Sequence, residues 1–110
     1  MIEKMVRDYL GDELKIPVYL EYPTKISEKF ILIEKTGGSC KHINSAIIIV
    51  QSYAESMYEA AKLNEQMKGV MLNMPQLDEI CKVSLNSDYN YTDTTQKKYR
   101  YQAVFDIVYY

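Results

Sequence analysis

One uninterrupted apolar run, Ala46–Val50, constrains the fold of this 110-residue chain more than any other feature. The run is far shorter than the roughly 20 residues that a membrane-spanning helix needs. Most of its residues are isoleucine or valine, and β-branched side chains favour strands. A strand with one solvated face would alternate apolar and polar residues. We therefore expect a strand over about residues 43–51 that is buried on both faces.

The amino-terminal half of the chain predicts one helix and two strands before this run. Apolar residues at helical spacing predict a helix over about residues 1–10, which Gly11 ends in a left-handed conformation. Alternation between two prolines predicts a short edge strand over residues 18–22. A further strand begins at Phe30. The glycine-containing stretch Thr36–Ser39 predicts a turn that leads into the strand at 43–51.

The carboxy-terminal half predicts a second helix and two more strands. Ser52 and Glu55 have the spacing of a capping box, so we expect a helix to begin there and to end at Pro75. Alternating residues predict strands over 80–85 and 99–110. The segment Asn86–Lys98 between them is too polar for a core and too long for a tight hairpin, which predicts a projecting arm.

The predicted order of elements is α-β-β-β-α-β-β, in a single domain over residues 1–110. This order is typical of an α+β fold in which two helices lie on one face of a mainly antiparallel sheet of about five strands. Two cysteines allow one disulfide at most, and no signal-peptide pattern opens the chain, so we expect folding in the reducing cytosol. Tyrosines make up 11 of the 13 aromatic residues, which favours positions where a hydroxyl meets water.

Catalytic and metal chemistry have weak support in the sequence. Cys40 and His42 are the one local pair that resembles a thiol nucleophile and its base, but no orienting carboxylate lies near them. The same two residues with Cys81 would make three zinc ligands, although their spacing is unlike that of structural zinc sites. Thr36–Ser39 lacks the lysine and the following helix of a phosphate loop. We therefore predict no catalytic residue, no metal and no cofactor.

Asn64 is the polar residue that stands out on the second predicted helix. Helical spacing places it among apolar side chains, where an unpaired amide would cost about 1–3 kcal/mol. We expect its amide to hydrogen-bond to backbone of the sheet or of a loop.

A basic cluster near the carboxy terminus is the most informative group for function. Lys97, Lys98 and Arg100 are surrounded in sequence by tyrosines, namely Tyr89, Tyr91, Tyr99 and Tyr101. Such a mixture binds single-stranded nucleic acid in some proteins and forms protein interfaces in others. The formal net charge of -2 shows no basic surplus elsewhere, which favours a protein partner. The candidate interface residues are Tyr89, Tyr91, Lys97, Lys98 and Arg100.

The other tyrosines are expected in two kinds of place. Tyr99, Tyr101 and Tyr109 share one face of the last strand and would extend the interface along it. Tyr9 and Tyr22 are expected in the core, with their hydroxyls at its rim.

Three stretches of the chain together resemble the small tail-terminator proteins of long-tailed bacteriophages, which are also described as tail-completion, head–tail joining or minor capsid proteins. These are the third strand running into Gln51–Ala54, the helix with Glu59-Ala60-Ala61 and Leu63, and the closing strand Tyr99–Tyr110. The resemblance covers residues 43–110, and residues 1–42 share mainly the order of elements.

This resemblance implies a non-enzymatic subunit that assembles with its own copies into a ring, typically a hexamer. The ring would end the tail tube and meet the head–tail connector, so its partners would be the major tail protein and the connector protein. DNA would pass through it without sequence-specific binding, and no membrane would be involved. Its place would be the virion's head–tail junction, after assembly in the host cytoplasm. The loop 86–98 would contribute contacts.

Two alternatives remain open from the sequence. One is a head-side connector or adaptor, which would be a structural protein of similar size. The other, from a different class, is a small nucleic-acid-binding regulatory module that uses Lys97, Lys98, Arg100 and the nearby tyrosines.

Overall fold

The computed structural model describes residues 1–40 and 43–110, apart from the side chain of Cys40. The order of the helices and strands in this part of the chain is the predicted one. The elements are α1 (Ile2–Leu14), β1 (Val18–Tyr19), β2 (Phe30–Cys40), β3 (Asn44–Ala54), α2 (Met57–Leu72), a 3-10 helix (Met74–Gln76), β4 (Ile80–Asn90) and β5 (Tyr99–Tyr109). Neither helix has the length and apolar composition that crossing a membrane requires.

The strands form one sheet in the order β1-β2-β3-β5-β4. β1 is parallel to β2, and the other neighbours are antiparallel. β1 lies at one edge, as the flanking prolines predict, but it is only two residues long. The predicted α+β class with a mainly antiparallel sheet is therefore confirmed.

Both helices pack on the same face of the sheet and build the hydrophobic core with it. α1 contributes Val6 and Leu10, and α2 contributes Leu63, Met67 and Met71. The sheet contributes alternate residues of its central strands, which are Ile31, Ile33, Ala46, Ile48, Val50, Ala103, Phe105 and Ile107. Because side chains alternate along a strand, the residues between these point to the other side of the sheet.

The opposite side of the sheet has no helix packed on it in the described part of the chain, and we call it the open face. The segment that carries Tyr22 covers only its end at Phe30 and Tyr53. Beyond that end, its apolar residues are Leu32, Ile47, Ile49, Val104 and Val108. Ile47 is 38% exposed, whereas Ile48 beside it is fully buried. The prediction that this strand is buried on both faces is therefore wrong for the single chain, because both helices lie on one side.

Two predicted helix boundaries are also wrong. α1 continues through Gly11 to Leu14, and Lys15 takes the left-handed conformation with φ 59°. α2 is capped by Ser56, whose hydroxyl accepts a hydrogen bond from the backbone N–H of Glu59 at 3.2 Å, and not by Ser52. The same S-x-x-E spacing occurs at both serines, but pairing with β2 and β5 keeps Ser52 in β3. α2 ends at Leu72, and Pro75 lies in the 3-10 helix that follows.

One predicted loop is strand throughout, and another is strand in its first part. Thr36–Ser39 lies within β2, where a bulge between Lys35 and Gly37 shifts the register. A side chain at position 38 would place its Cβ 2.5 Å from the Ser45 carbonyl oxygen, so the glycine allows the two strands to pair there. Asn86–Asn90 belongs to β4 and pairs with β5, which leaves a connection over 91–98. The first part of the predicted arm is therefore a continuation of the sheet.

Candidate functional site

The hairpin between β4 and β5 has a well-defined tip. Asp93 and Lys98 exchange two backbone hydrogen bonds of 3.0 Å. The Asp93 carboxylate accepts hydrogen bonds from the backbone N–H groups of Thr95 and Gln96 at 3.1 and 3.2 Å. Lys97 adopts a left-handed conformation with φ 55°, which is unusual for a residue other than glycine. These bonds fix the direction in which the chain leaves the tip and enters β5.

Lys98 and Arg100 follow the tip and are two residues apart, so they lie on the same side of the sheet. Arg100 pairs with Tyr53 of β3, which is on the same side of that strand as Ile47 and Ile49 of the open face. The Lys98 ammonium lies 4.8 Å from the centre of the Tyr22 ring. Both cations therefore lie on the open face at the end where β5 begins.

The Arg100 guanidinium is held by four contacts. Its Nε donates to the Tyr91 carbonyl oxygen at 3.0 Å, and one terminal nitrogen donates to the Tyr53 hydroxyl at 3.2 Å. Its Cζ lies 4.6 Å from the centre of the Tyr91 ring and 5.7 Å from that of Tyr53. Such cation–π contacts contribute about 0.5–1 kcal/mol each at exposed sites. The guanidinium is therefore positioned before any partner arrives.

Edge-to-face contacts join these tyrosines in two pairs, and Arg100 links the pairs through its contacts with Tyr53 and Tyr91. The ring centres of Tyr22 and Tyr53 are 5.8 Å apart, and those of Tyr89 and Tyr91 are 5.9 Å apart. Phe30 stacks on Tyr53 at 4.5 Å and is nearly buried. We call this row of rings and cations the cation–tyrosine ladder; it consists, in order, of Lys98, Tyr22, Tyr53, Arg100, Tyr91 and Tyr89.

Two glutamine side chains support the ladder from the middle of the open face. Gln51 donates to the Gln102 side-chain oxygen at 2.7 Å and accepts from the Tyr53 hydroxyl at 3.0 Å. Gln102, which is only 7% exposed, donates in turn to the Tyr89 hydroxyl. This network satisfies polar groups that would be costly to bury unpaired, and it fixes both tyrosine hydroxyls.

Burial changes the acidity of one ladder tyrosine. Desolvation raises the pKa of the Tyr53 hydroxyl above its ordinary value of 10.0, and the hydrogen bond from Arg100 opposes this rise. Tyr53 therefore stays protonated and neutral at physiological pH. In that state it can both accept from Arg100 and donate to Gln51.

The ladder cations have no ionic partner within the part of the chain that the structure describes. The ion pairs found there are Lys4–Asp8, Arg7–Asp8, Lys29–Glu59, Lys68–Glu65 and Lys68–Asp88. None of them involves Lys97, Lys98 or Arg100. Several N–H donors of the two side chains on the open face are therefore left for an external acceptor.

A cleft of about 380 Å³ lies beside the ladder. Tyr22, Phe30 and Tyr53 line it together with Lys97 and Lys98. Its lining also includes two acidic residues, Glu28 and Glu55. The cleft thus combines aromatic rings with charges of both signs, which is a composition suited to a protein surface more than to a small apolar ligand.

The structure brings together most of the predicted interface residues and adds two. Tyr89, Tyr91, Lys98 and Arg100 are in the ladder, and Lys97 lies at the hairpin tip beside it. Tyr22 is 40% exposed in the ladder, so its predicted place in the core is wrong. The sequence does not single out Tyr53 for the interface, although the alternation of β3 places it on the same face as Ile47 and Ile49.

The tyrosines expected to extend the interface along β5 lie elsewhere. Tyr99, Tyr101 and Tyr109 do share one side of β5, but it is the side of Phe105 and Ile107, which faces the helices. Tyr109 packs against the core. These three residues therefore lie on the opposite side of β5 from Arg100, and their part in an interface stays a prediction.

The candidate thiol chemistry falls mostly outside the described residues. This holds for His42 and for the side chain of Cys40. Cys81 is exposed near the start of β4, where the Tyr110 hydroxyl approaches its sulfur at 3.9 Å. Within residues 1–40 and 43–110, no group of three or more His, Cys, Asp or Glu side chains has an arrangement that could hold a metal ion.

Asn64 finds its partner in a side chain. Its amide donates to the Asp88 carboxylate at 2.8 Å, so the predicted bond to backbone is wrong. Lys68 donates to the other oxygen of the same carboxylate. Asp88 lies on the helix side of β4, and these two bonds tie β4 to α2, which positions the strand that carries Tyr89.

Comparisons with known proteins add no match. No protein-family model matches the chain, and no curated protein matches it.

Proposed function

We propose that this chain is a non-enzymatic structural subunit that assembles with its own copies into a ring, as a tail terminator of a long-tailed phage or prophage. The ring, which we expect to be hexameric, would end the tail tube and join it to the head connector. It would act in the virion's head–tail junction and be assembled in the host cytoplasm. Its sequence resemblance over residues 43–110 supports this proposal.

The observation that carries the proposal is the open face. β3 has an apolar side chain on both sides over Ala46–Val50, but the helices of one copy cover only one side. Ile47 is 38% exposed, and Ile49 is only partly buried. Contiguous apolar surface of this kind is typical of sites where another protein packs. A second chain would bury what the first leaves in water.

The composition of the ladder also supports a protein partner. Tyrosine and arginine are enriched at protein interfaces, where they supply contact area at a low cost in side-chain entropy. In the ladder, Tyr22 has one ring face occupied by Lys98, and Tyr91 has one occupied by Arg100. Bases of single-stranded nucleic acid need free ring faces for stacking. The ladder therefore offers fewer ring faces to bases, and together with the net charge of -2 this favours the structural subunit over the nucleic-acid-binding module.

Native mass spectrometry and negative-stain electron microscopy over a range of protein concentrations test the proposal. We expect a discrete ring-shaped oligomer, either alone or when a phage major tail protein is added. A chain that stays monomeric at high concentration and binds no tail-tube protein would refute the proposed function.

A further inference from the structure

The two cations of the cation–tyrosine ladder form no ion pair within the described part of the chain; Glu28 and Glu55 line the cleft beside Lys98 without pairing with it. We infer that it binds the carboxylates of Asp78 and Glu79 on a neighbouring copy of this chain. The inference rests on the proposed self-assembly and specifies the contact that links one copy to the next.

The ladder has the chemistry of a carboxylate receptor. Arg100 spends two N–H groups on Tyr91 and Tyr53, and its other donors have no partner among the described residues. A guanidinium forms two parallel hydrogen bonds to a carboxylate in a geometry that an ammonium cannot match. Lys98, held over Tyr22 on the same face, adds a second positive charge. Because the neighbouring rings hold these groups, little side-chain entropy remains to be lost on binding.

Asp78 and Glu79 are suited to fill this receptor. Both are exposed, and neither takes part in an ion pair. They directly precede β4, and the Glu79 carbonyl oxygen accepts a hydrogen bond from the Tyr110 backbone at 3.0 Å. This bond fixes the position of the backbone from which the two side chains extend.

The receptor and the acidic pair lie at opposite ends of the β4–β5 hairpin. At one end Ile80 pairs with Tyr109, and at the other Asn90 pairs with Tyr101. Strands of this length span roughly 35 Å, and the longest dimension of the molecule is 44 Å. Within one copy the two groups therefore cannot meet. Between copies they form a head-to-tail contact of two different surfaces, which is the kind of contact that closes a ring.

A charge-exchange experiment tests this contact. The receptor variant carries Lys97→Glu with Lys98→Glu, which leaves Arg100 and its hydrogen bonds in place. The acidic-pair variant carries Asp78→Lys with Glu79→Lys. Each variant alone now opposes like charges across the contact, so we expect its self-association constant to fall by ~10-fold or more at low salt. In an equal mixture, opposite charges meet again, and native mass spectrometry should show mixed oligomers of near wild-type abundance.

Matched controls place the same charge changes elsewhere on the surface. Asp12→Lys with Glu13→Lys changes another adjacent, exposed acidic pair, on α1. Lys35→Glu with Lys62→Glu changes two other exposed lysines. We expect both controls to self-associate as the wild type does. Circular dichroism and a thermal melt of every variant show whether its fold is retained.

The possible outcomes separate this inference from the proposed function. If the wild type assembles and both charge variants assemble equally well, the contact is wrong but self-assembly stands. If the wild type stays monomeric, the inference is overturned, and the proposed function is overturned too only if tail-tube protein also fails to bind. If the receptor variant instead loses affinity for a single-stranded DNA oligonucleotide while its self-association is unchanged, the ladder is a nucleic-acid site and the inference is wrong.

Discussion

Ile47 and Ile48 are neighbours of the same residue type on opposite sides of β3, and exchanging each for threonine tests whether the open face is an assembly surface. Threonine keeps the β-branched shape that suits a strand but replaces apolar surface with a hydroxyl. Ile48 is fully buried among core residues, whereas 38% of Ile47 is exposed. The two substitutions should therefore affect different equilibria.

Ile48→Thr should lower the free energy of unfolding by about 2–4 kcal/mol, because it loses buried apolar contacts and buries a hydroxyl. Ile47→Thr should lower it by less than about 1 kcal/mol. The exposed 38% of Ile47 would be buried in the assembly, and full burial of such a side chain is worth about 1.5–3 kcal/mol. Its share is roughly 0.6–1.1 kcal/mol per contact, or a ~3–7-fold lower association constant.

Urea unfolding of the dilute chain gives the first quantity, and analytical ultracentrifugation over a concentration series gives the second. If Ile47→Thr destabilises the dilute chain as much as Ile48→Thr does, the face is not open in a single copy. If Ile47→Thr leaves the association constant within twofold of the wild type, partners do not cover this part of the face. Either result would refute the reasoning from β3.

Three further predictions follow from the local structure. Ser56→Ala should lower the free energy of unfolding by about 1 kcal/mol through loss of the α2 cap. Ser52→Ala should leave the free energy of unfolding unchanged or raise it, because the Ser52 hydroxyl is buried without a partner among the described residues. Thermal melts compare the two variants. Lys97→Gly should raise the free energy of unfolding by roughly 0.5–1 kcal/mol by relieving the left-handed backbone, which urea unfolding measures. Hydrogen bonds to Asp88 and Glu65 raise the Lys68 pKa above its ordinary 10.5. The stabilisation that charged Lys68 gives the folded chain is therefore complete below pH 10.5 and is lost as the pH rises through the raised pKa. Asp88→Asn should reduce this alkaline loss of stability, which urea unfolding between about pH 9 and 12 measures.

Element types and their order follow from the sequence because they depend on local periodicity. Apolar residues at helical spacing near the start predict α1, and alternation from Tyr99 onwards predicts β5; both are confirmed. Boundaries follow less well, because tertiary contacts decide them. Ser52 and Ser56 both have the S-x-x-E spacing, and strand pairing, which is not local, selects the second.

The candidate site follows from the sequence only in part. Tyr89, Tyr91, Lys98 and Arg100 lie close together along the hairpin, so their sequence positions predict their grouping. Tyr22 comes from the segment between β1 and β2, and no local pattern connects it to Lys98. The open face differs again: the sequence of β3 correctly indicates that both sides are apolar, but it does not show that one side needs a second chain to bury it.

The free edges of the sheet limit how copies can meet. β4 forms one edge of the sheet and has register shifts between Ile80 and Lys82 and between Leu85 and Ser87. At the other edge, the two-residue β1 leaves most of β2 unpaired on its outer side, and β2 has a register shift between Lys35 and Gly37. Such bulges interrupt the row of backbone N–H and C=O groups that another strand would pair with. Natural sheets use bulges in this way to prevent edge-to-edge association. The open face has no comparable obstacle. Copies should therefore associate through this face and through the ends of the hairpin, and the sheet should not continue from one copy into the next. Amide hydrogen exchange can distinguish these modes, because a continued sheet would protect the outward N–H groups of β4 on assembly, whereas packing through the face would leave their exchange unchanged.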